Sequence, residues 1–222
     1  MKYVVIDLEM NSLAKRFTEE RDICAMEIIE IGAVLLDDRF CEIGTFKTLV
    51  KPQYNDEIGV HFTKLTGITT EMVSNAPVFE EALKMFFSWY HSIKDEVQIY
   101  QWSGTDLEQV TKELLLNHIQ VAPKDQIILH NWYDLQKEYG KKLNLENALS
   151  LKNAVMYAGA EFAGREHDAL CDARNTASLL RILRDPELCE NALGHVIEAL
   201  TPKTAGTALG ELFNFAEINV SA

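Results

Sequence analysis

Residues 2–10, KYVVIDLEM, form a near-continuous run of apolar and β-branched residues that ends in acids. Such a run is typical of a strand buried on both faces, with its polar residues where the strand leaves the core. Side chains two positions apart on a strand point to the same face, so Asp7 and Glu9 are expected side by side. A carboxylate pair there is costly unless something positive lies between the two groups. Taken alone, a strand running out into solvent explains the pair equally well.

The chain downstream of this strand predicts an α/β fold. Residues 27–52 predict a hairpin that turns at DDRF, residues 37–40. Further strands are predicted at residues 96–102 and 125–132, and helices at residues 77–93, 105–119, 133–142 and 144–159. Three strands followed by strands that alternate with helices indicate a mixed sheet covered by helices. The first three strands are expected to be antiparallel and the later ones parallel.

Length and composition bound the class of protein. The chain has 222 residues, of which 47% are apolar and 25% charged, as in a globular domain. No apolar run approaches the roughly 20 residues that span a bilayer, and the N-terminus is soon acidic, so a cytoplasmic protein without a signal peptide is expected. The four cysteines are widely spaced and predict buried free thiols. A formal charge of −13 argues against tight, sequence-independent binding to long nucleic acid.

Three further titratable residues lie at the starts of predicted helices. Asp106 follows the strand that ends in QIYQW, and alone it is best explained as a helix N-cap. Asp172 comes five residues after His167 in the stretch GREHDALCDARNTASLLRIL, residues 164–183. Alone, Asp172 fits a solvated surface acid and His167 a capping or core histidine.

The combination of these residues favours a metal site. Carboxylates from three separate segments, Asp7 with Glu9, Asp106 and Asp172, would meet at one edge of such a sheet. Ligand sets made of oxygen suit Mg²⁺ or Mn²⁺, and two such ions about 4 Å apart can clamp the attacking and leaving oxygens of a phosphodiester. His167 would then serve as the general base for the attacking water.

These motifs give the chain a resemblance to a known family. The ordered motifs DLE, WSGTDLEQV and HDALCDA resemble those of the DEDD family of 3′→5′ exonucleases. The segments EIIEIGAV and HFTKLTGIT fit the same family, and residues 143–180 are similar to its RNA-trimming subgroup, which includes the histone-mRNA and small-RNA exonucleases. The histidine branch has a His five positions before the last Asp, where this chain has His167, and the tyrosine branch has a Tyr four positions before it, where this chain has Asp168. The chain therefore resembles the histidine branch, and Asp168 is expected to cap a helix.

The resemblance implies a ribonuclease H-like fold, two divalent ions and a metal-dependent 3′→5′ exonuclease that releases nucleoside 5′-monophosphates. By analogy, Met10 and Asn11 would meet the terminal nucleotide, and Phe62 and Leu65 would pack on its base. Plain core residues are the alternative for Phe62 and Leu65. The segment between Glu9 and the second strand carries several basic residues and is expected to be a long loop, either over the substrate or merely solvated.

The expected partner is single-stranded nucleic acid, with RNA favoured over DNA and short oligonucleotides or 3′ ends favoured over long strands. Two alternatives remain: a regulatory or interaction protein that retains the fold, and an exonuclease that proofreads for a DNA polymerase. The resemblance covers residues 1–185, which are expected to form the exonuclease domain. Residues 186–222 are expected to form a C-terminal extension, docked or partly mobile.

Overall fold

The computed structural model describes residues 1–130 and 132–200. The strands are β1 (Lys2–Ser12), β2 (Met26–Leu36), β3 (Glu42–Leu49), β4 (Val97–Gln101) and β5 (Trp132–Asp134). The helices before β5 are α1 (Thr18–Ile23), α2 (Val60–Thr66), α3 (Thr70–Val73), α4 (Phe79–Ser92), α5 (Thr105–Leu116) and α6 (Pro123–Leu129). Those after it are α7 (Leu135–Lys142), α8 (Leu151–Tyr157), α9 (Ala169–Arg184) and α10 (Pro186–Leu200).

The five strands form one mixed sheet in the order β3-β2-β1-β4-β5. The β1–β2 and β2–β3 pairs are antiparallel, whereas β4 pairs with β1 and β5 with β4 in parallel. The predicted α/β fold, with three antiparallel strands followed by parallel ones, is confirmed.

The central strand β1 is buried on both faces, as its sequence predicts. Val4, Ile6 and Leu8 belong to an apolar cluster that includes residues of α4, α5 and α6. Val5, between them, belongs to a second cluster with residues of α7, α8, α9 and α10. Because strand side chains alternate, Asp7 and Glu9 share the face of Val5, which is the face that α9 covers.

Three predicted elements differ from the structure. The helix predicted at residues 144–159 begins only at Leu151, after the N-cap Ser150, and ends at Tyr157. The strand predicted at residues 125–132 is wrong for most of its length, because Pro123 begins the helix α6 and the strand β5 starts only at Trp132. Proline fits the first turn of a helix, where its missing N–H has no partner to lose, and the apolar run then places Ile128 in the core. The prediction of a long loop after Glu9 is also wrong. The strand β1 continues to Ser12, and the helix α1 occupies Thr18–Ile23.

The described part of the C-terminal extension is the helix α10. Its Cys189 and Leu193 are buried in the same apolar cluster as α9, which α10 contacts along with α8. Residues 201–222 of the predicted extension lie outside the described residues. Within the part of the chain that the structure describes, no helix is long and apolar enough to cross a membrane.

The four cysteines are free, as the sequence predicts. Cys24 and Cys189 are buried, but Cys41 is exposed and Cys171 is half-buried. Cys41 comes just after the tight turn at Asp37, which its backbone N–H helps to close, so its position on the hairpin leaves the thiol in solvent.

Candidate active site

The strand β1 supplies the first two acids of the candidate site. Glu9 is 6% exposed and Asp7 is half-buried. The register between β1 and β2 shifts between Glu9 and Met10, where β2 contains one extra residue. Such a bulge bends the strand locally and re-aims side chains, and here it lies directly beside Glu9.

Asp106 lies in the first turn of α5 and is 5% exposed. Two neighbouring strands fix this turn. The Leu107 N–H donates to Gln101 Oε1 at 2.9 Å, and the Gly104 N–H donates to Asp134 Oδ2 at 3.1 Å. The ends of β4 and β5 therefore hold the start of α5 at the edge of the sheet, and Asp106 with it. Gly104, rather than Asp106, occupies the N-cap position, so the N-cap interpretation of Asp106 is wrong.

The start of α9 supplies the remaining two predicted residues. Asp168 is the N-cap, as the sequence predicts, and its Oδ1 accepts a hydrogen bond from the Cys171 N–H at 3.1 Å. His167 has a φ of 60°, in the left-handed region that few residues other than glycine adopt. Its N–H donates to Asp172 Oδ2 at 3.3 Å, so the backbone of His167 and the side chain of Asp172 fix one another.

All five residues line a single cleft of about 290 Å³. They are Asp7, Glu9, Asp106, His167 and Asp172. One metal-binding atom each of Glu9, His167 and Asp172 lies within 4.8 Å of the other two. The structure therefore brings together every acid that the sequence predicts, together with the histidine.

The acids of this cleft repel one another and are shielded from water. Burial is the main cause that raises the pKa of Glu9 to about 8 and those of Asp106 and Asp172 to about 7. Burial also raises the pKa of Asp7 well above its usual value, with further contributions from the charges of Asp106, Asp172 and Glu9. Such shifts are expected where carboxylates face one another without a cation.

The donor set fits hard divalent cations. Asp172 Oδ1 is buried and accepts no hydrogen bond from any residue that the structure describes. A buried carboxylate oxygen without a partner costs free energy, and a cation between the acids would remove that cost while lowering their pKa values. The other donors are carboxylate oxygens, which Mg²⁺ and Mn²⁺ prefer.

Apolar side chains form another part of the wall of the cleft, called the apolar wall below. Three of the four predicted substrate-binding residues lie there: Met10, Phe62 and Leu65. Phe62 also packs against a small buried cluster around Ile29 and Ile58, so it serves the core and the cleft at once. The sequence did not predict Met26, Ser103 or Leu151 as parts of the cleft, since nothing local distinguishes them from ordinary strand and helix residues.

Asn11 does not line this cleft with Met10, so its predicted contact with a nucleotide stays a prediction. Its side chain is 1% exposed, and its Oδ1 accepts a hydrogen bond from the Gly59 N–H at 3.0 Å. Asn11 therefore holds the segment that leads into α2, the helix of Phe62 and Leu65. The strand continues past Glu9, and each further residue moves away from the acids.

Trp102 also lines the cleft, but it is 7% exposed and its indole N–H donates to the Leu149 carbonyl at 3.2 Å.

The basic segment between Glu9 and β2 has its arginines paired within the protein. Arg16 pairs with Asp56 at 2.8 Å, and Arg21 donates to the Leu13 carbonyl.

Comparisons with known proteins find both similar sequences and similar structures. A family model described as "Exonuclease" (RNase_T) matches residues 4–180. Among curated proteins, "ERI1 exoribonuclease 2" of Danio rerio is 31% identical over 196 residues, which cover 79% of this chain and 34% of that protein. The "3'-5' exoribonuclease 1" of Rattus norvegicus is 28% identical over 163 residues, covering 72% of this chain and 47% of the relative.

A solved structure is similar over most of the chain. The nuclease domain of 3'hExo, described as a DEDDh family member bound to rAMP, superimposes with a TM-score of 0.70 at 25% identity. The match covers 83% of this chain and 92% of that domain. The chain spans between about a third and about half the length of the two curated relatives.

Proposed function

Because the chain belongs to the exonuclease family whose model spans residues 4–180, we propose that it is a metal-dependent 3′→5′ exonuclease. It hydrolyses phosphodiester bonds at the 3′ ends of single-stranded RNA or short oligonucleotides and releases nucleoside 5′-monophosphates. The observation that supports this most directly is the meeting of four carboxylates from β1, α5 and α9 with His167 in one cleft.

Asp7, Glu9, Asp106 and Asp172 would hold two divalent ions, Mg²⁺ or Mn²⁺. When bound, such ions stabilise the charge that develops on the attacking and leaving oxygens of a phosphodiester. The unpartnered Asp172 Oδ1 and the raised pKa values of Glu9, Asp106 and Asp172 support this assignment.

His167 acts as the general base. Its ring lies beside Glu9 and Asp172, and a neutral imidazole has a ring nitrogen that can accept a proton. It accepts a proton from the attacking water, and the acids around it stabilise the imidazolium that forms. The hydrogen bond from the His167 backbone to Asp172 keeps the ring at a fixed place relative to the acids.

The apolar wall binds the last base. Phe62 and Leu65 on α2, with Met10 on β1, offer apolar side chains on which any base can pack. The volume of the cleft, about 290 Å³, is small for a nucleic-acid site and suits one terminal nucleotide. This supports stepwise removal from an end rather than cleavage within a strand.

RNA is the proposed substrate because both curated relatives are named exoribonucleases. A formal charge of −13 favours short strands, since few of their phosphates need to be neutralised. We place the protein in the cytoplasm, since its four cysteines are free thiols and a reducing compartment keeps them so.

The test uses single-stranded RNA and DNA of the same sequence, each labelled at the 5′ end, with Mg²⁺, Mn²⁺ or a chelator. We expect a ladder that shortens from the 3′ end, faster on RNA, with nucleoside 5′-monophosphate as the released product and no cleavage in the chelator. A wild-type protein that shortens neither strand would refute the proposal and favour the binding or regulatory alternative. A clear preference for DNA would favour the proofreading alternative.

The assignment of His167 is tested with His167→Asn in the same assay. Asparagine tolerates the left-handed φ of 60° but cannot serve as a base near neutral pH. The rate should fall by roughly 10²- to 10⁴-fold, the usual scale for loss of a general base. His195→Ala, at an exposed position on α10, is the matched control and should keep the wild-type rate.

A further inference from the structure

Three charged side chains near the acids of the cleft form a network: Lys47 pairs with both Glu30 and Asp168. Lys47 Nζ, from β3, is 2.6 Å from Asp168 Oδ2 and 3.2 Å from Glu30 Oε1. Glu30 is 4% exposed, and its other oxygen, Oε2, accepts a hydrogen bond from the Ala169 N–H at 2.9 Å. The network therefore joins β2 and β3 to the first turn of α9.

The register of the sheet explains why these groups meet. Lys47 is opposite Gly32 on β2, and Gly32 is opposite Asp7 on β1. Register partners on neighbouring strands share a face, so Lys47 and Asp7 lie in one row across three strands under α9. Glu30 is opposite Glu9 in the same way.

Each group of the network holds the start of α9 at a different point. Glu30 binds the backbone of Ala169, and Asp168 binds the backbone of Cys171. Lys47 bridges these two carboxylates, which would otherwise be two negative charges at the same helix start. Among the described residues, Lys47 forms its ion pairs with these two acids and not with the acids assigned to the metal ions.

We propose that Lys47 is a positioning residue: by clamping Glu30 and Asp168 together it fixes the first turn of α9. It thereby sets His167 and Asp172 relative to Asp7 and Glu9. The inference rests on the proposed function for its kinetic consequence, but its structural consequence, the affinity of the cleft for a divalent ion, can be measured separately. Groups that orient the ligands of a metal site typically change affinity or rate by 10- to 100-fold when removed.

Loss of Lys47 would leave a buried carboxylate facing Glu9 without its counter-charge. Glu30 would then repel the acids of the cleft, and its side chain would no longer be held in place to accept the hydrogen bond from the Ala169 N–H. The start of α9 would become less well defined. The bound ions and the attacking water depend on that geometry, whereas the apolar wall on α2 that packs on the base does not.

The experiment compares Lys47→Met and Lys47→Arg with Lys51→Met as the matched control. Lys51 lies just past the end of β3 and is exposed. Mn²⁺ binding to the protein alone is measured by calorimetric titration, and kcat and KM are measured on a short single-stranded RNA. Lys47→Met should weaken Mn²⁺ binding and lower kcat by 10- to 100-fold each while KM changes less than about twofold.

Lys47→Arg keeps a cation with several donors and should recover most of both losses. The control Lys51→Met should match the wild type in both measurements. If Lys47→Met folds poorly, Asp168→Asn replaces it, because asparagine still caps α9 but no longer pairs with Lys47. Its Mn²⁺ affinity should fall in the same direction.

The inference would be overturned if Lys47→Met kept the Mn²⁺ affinity and the kcat of the wild type. It would also be overturned if Lys47→Arg lost as much Mn²⁺ affinity and kcat as Lys47→Met. Failure of the proposed function has a different signature. In that case the wild type cleaves neither RNA nor DNA, while the difference in Mn²⁺ affinity between the wild type and Lys47→Met still decides whether Lys47 positions the site.

Discussion

The backbone of Ala169 lies so close to Gly32 that a Cβ at Gly32 would be 2.4 Å from the Ala169 carbonyl carbon. Gly32 is the register partner of Asp7, so this contact brings the start of α9 directly onto the strand pair that supplies the first acids. Only a residue without a side chain permits such an approach. Ala169 and Ala173, both fully buried, complete the close packing.

Gly32→Ala should therefore damage the site more than the fold. The atoms in the way belong to the Ala169 and Leu170 backbone and cannot turn aside, so the start of α9 must shift. We expect a loss of about 1–3 kcal/mol in the free energy of unfolding, as for other overpacked sites. We also expect a fall of about 10²-fold in kcat, since a displacement near 1 Å is enough for that.

Urea unfolding and cleavage of single-stranded RNA measure the two effects. The control is Gly44→Ala on β3, where a Cβ would be 3.7 Å from a Leu35 side-chain carbon, an ordinary contact. If Gly32→Ala cleaves as fast as Gly44→Ala, the close approach of α9 is not what sets the geometry of the site.

Asp172→Asn separates the metal role of the carboxylate from its structural role. The substitution keeps the shape and removes one of the facing charges. Cleavage and the rise in melting temperature on adding Mg²⁺ should both be lost, while the metal-free protein should be at least as stable as the wild type near pH 8. Asp38→Asn, at an exposed position, is the control and should leave all three unchanged. A metal-free Asp172→Asn protein that melts below the wild type would show that Asp172 supports the fold instead.

The acids of the site were predictable from sequence because their motifs occur in the order of a known family, although each acid taken alone also had a plainer explanation. Asp7 and Glu9 share one face of a strand, and Asp106 and Asp172 lie in the first turns of two helices. Asn11 shows where local patterns fail. Its position beside Glu9 says nothing of the segment at Gly59, 48 residues away, to which it is bonded.

The same limit explains the elements and residues that the sequence did not predict. Residues 127–129 carry β-branched and apolar side chains that suit a strand as well as a helix, and Pro123 decides between them. Lys47 and Asp168 are 121 residues apart, and the contact between them exists only once α9 lies across the sheet. No sequence pattern around Lys47 or Asp168 predicts that the two side chains form an ion pair.

Metal binding should depend on pH in a definite direction. The pKa values of Glu9, Asp106 and Asp172 are raised to about 8, 7 and 7, so these acids hold protons at pH 6 and lose them toward pH 8. A divalent ion needs the deprotonated forms. Affinity for Mg²⁺ should therefore rise steeply from about pH 6 to about pH 8, and binding should release protons.

Calorimetric titration in buffers of different ionisation enthalpy measures both the Mg²⁺ affinity and the number of released protons. Each released proton binds to the buffer and adds the heat of that protonation to the measured heat. Asp172→Asn, which should no longer bind the ion, should show neither the binding heat nor the released protons. An affinity that does not change over this pH range would mean that the acids are already ionised in the metal-free protein.

Glu113 offers a second pH effect that is independent of the metal. It lies on α5, is 2% exposed, and its Oε2 accepts hydrogen bonds from the Ile28 N–H at 2.8 Å and from Gln109 Nε2 at 3.0 Å. Burial raises its pKa from 4.5 to about 8. The folded protein thus holds a proton that the unfolded chain gives up, and the stability this provides is fully present below about pH 4.5 and is lost as the pH rises through 8.

Glu113→Gln removes the titration while its amide oxygen can still accept both hydrogen bonds. Relative to the wild type, its free energy of unfolding should increase steadily between about pH 5 and about pH 8, at up to about 1.4 kcal/mol for each pH unit. Urea unfolding without metal at several pH values measures the difference. Glu108→Gln, on the same helix, is the control: Glu108 is exposed and its pKa is lowered by Lys112, so its substitution should give no such increase. Parallel stability curves for the wild type and Glu113→Gln would mean that Glu113 is ionised in the fold, held by the Ile28 and Gln109 hydrogen bonds against the cost of burial.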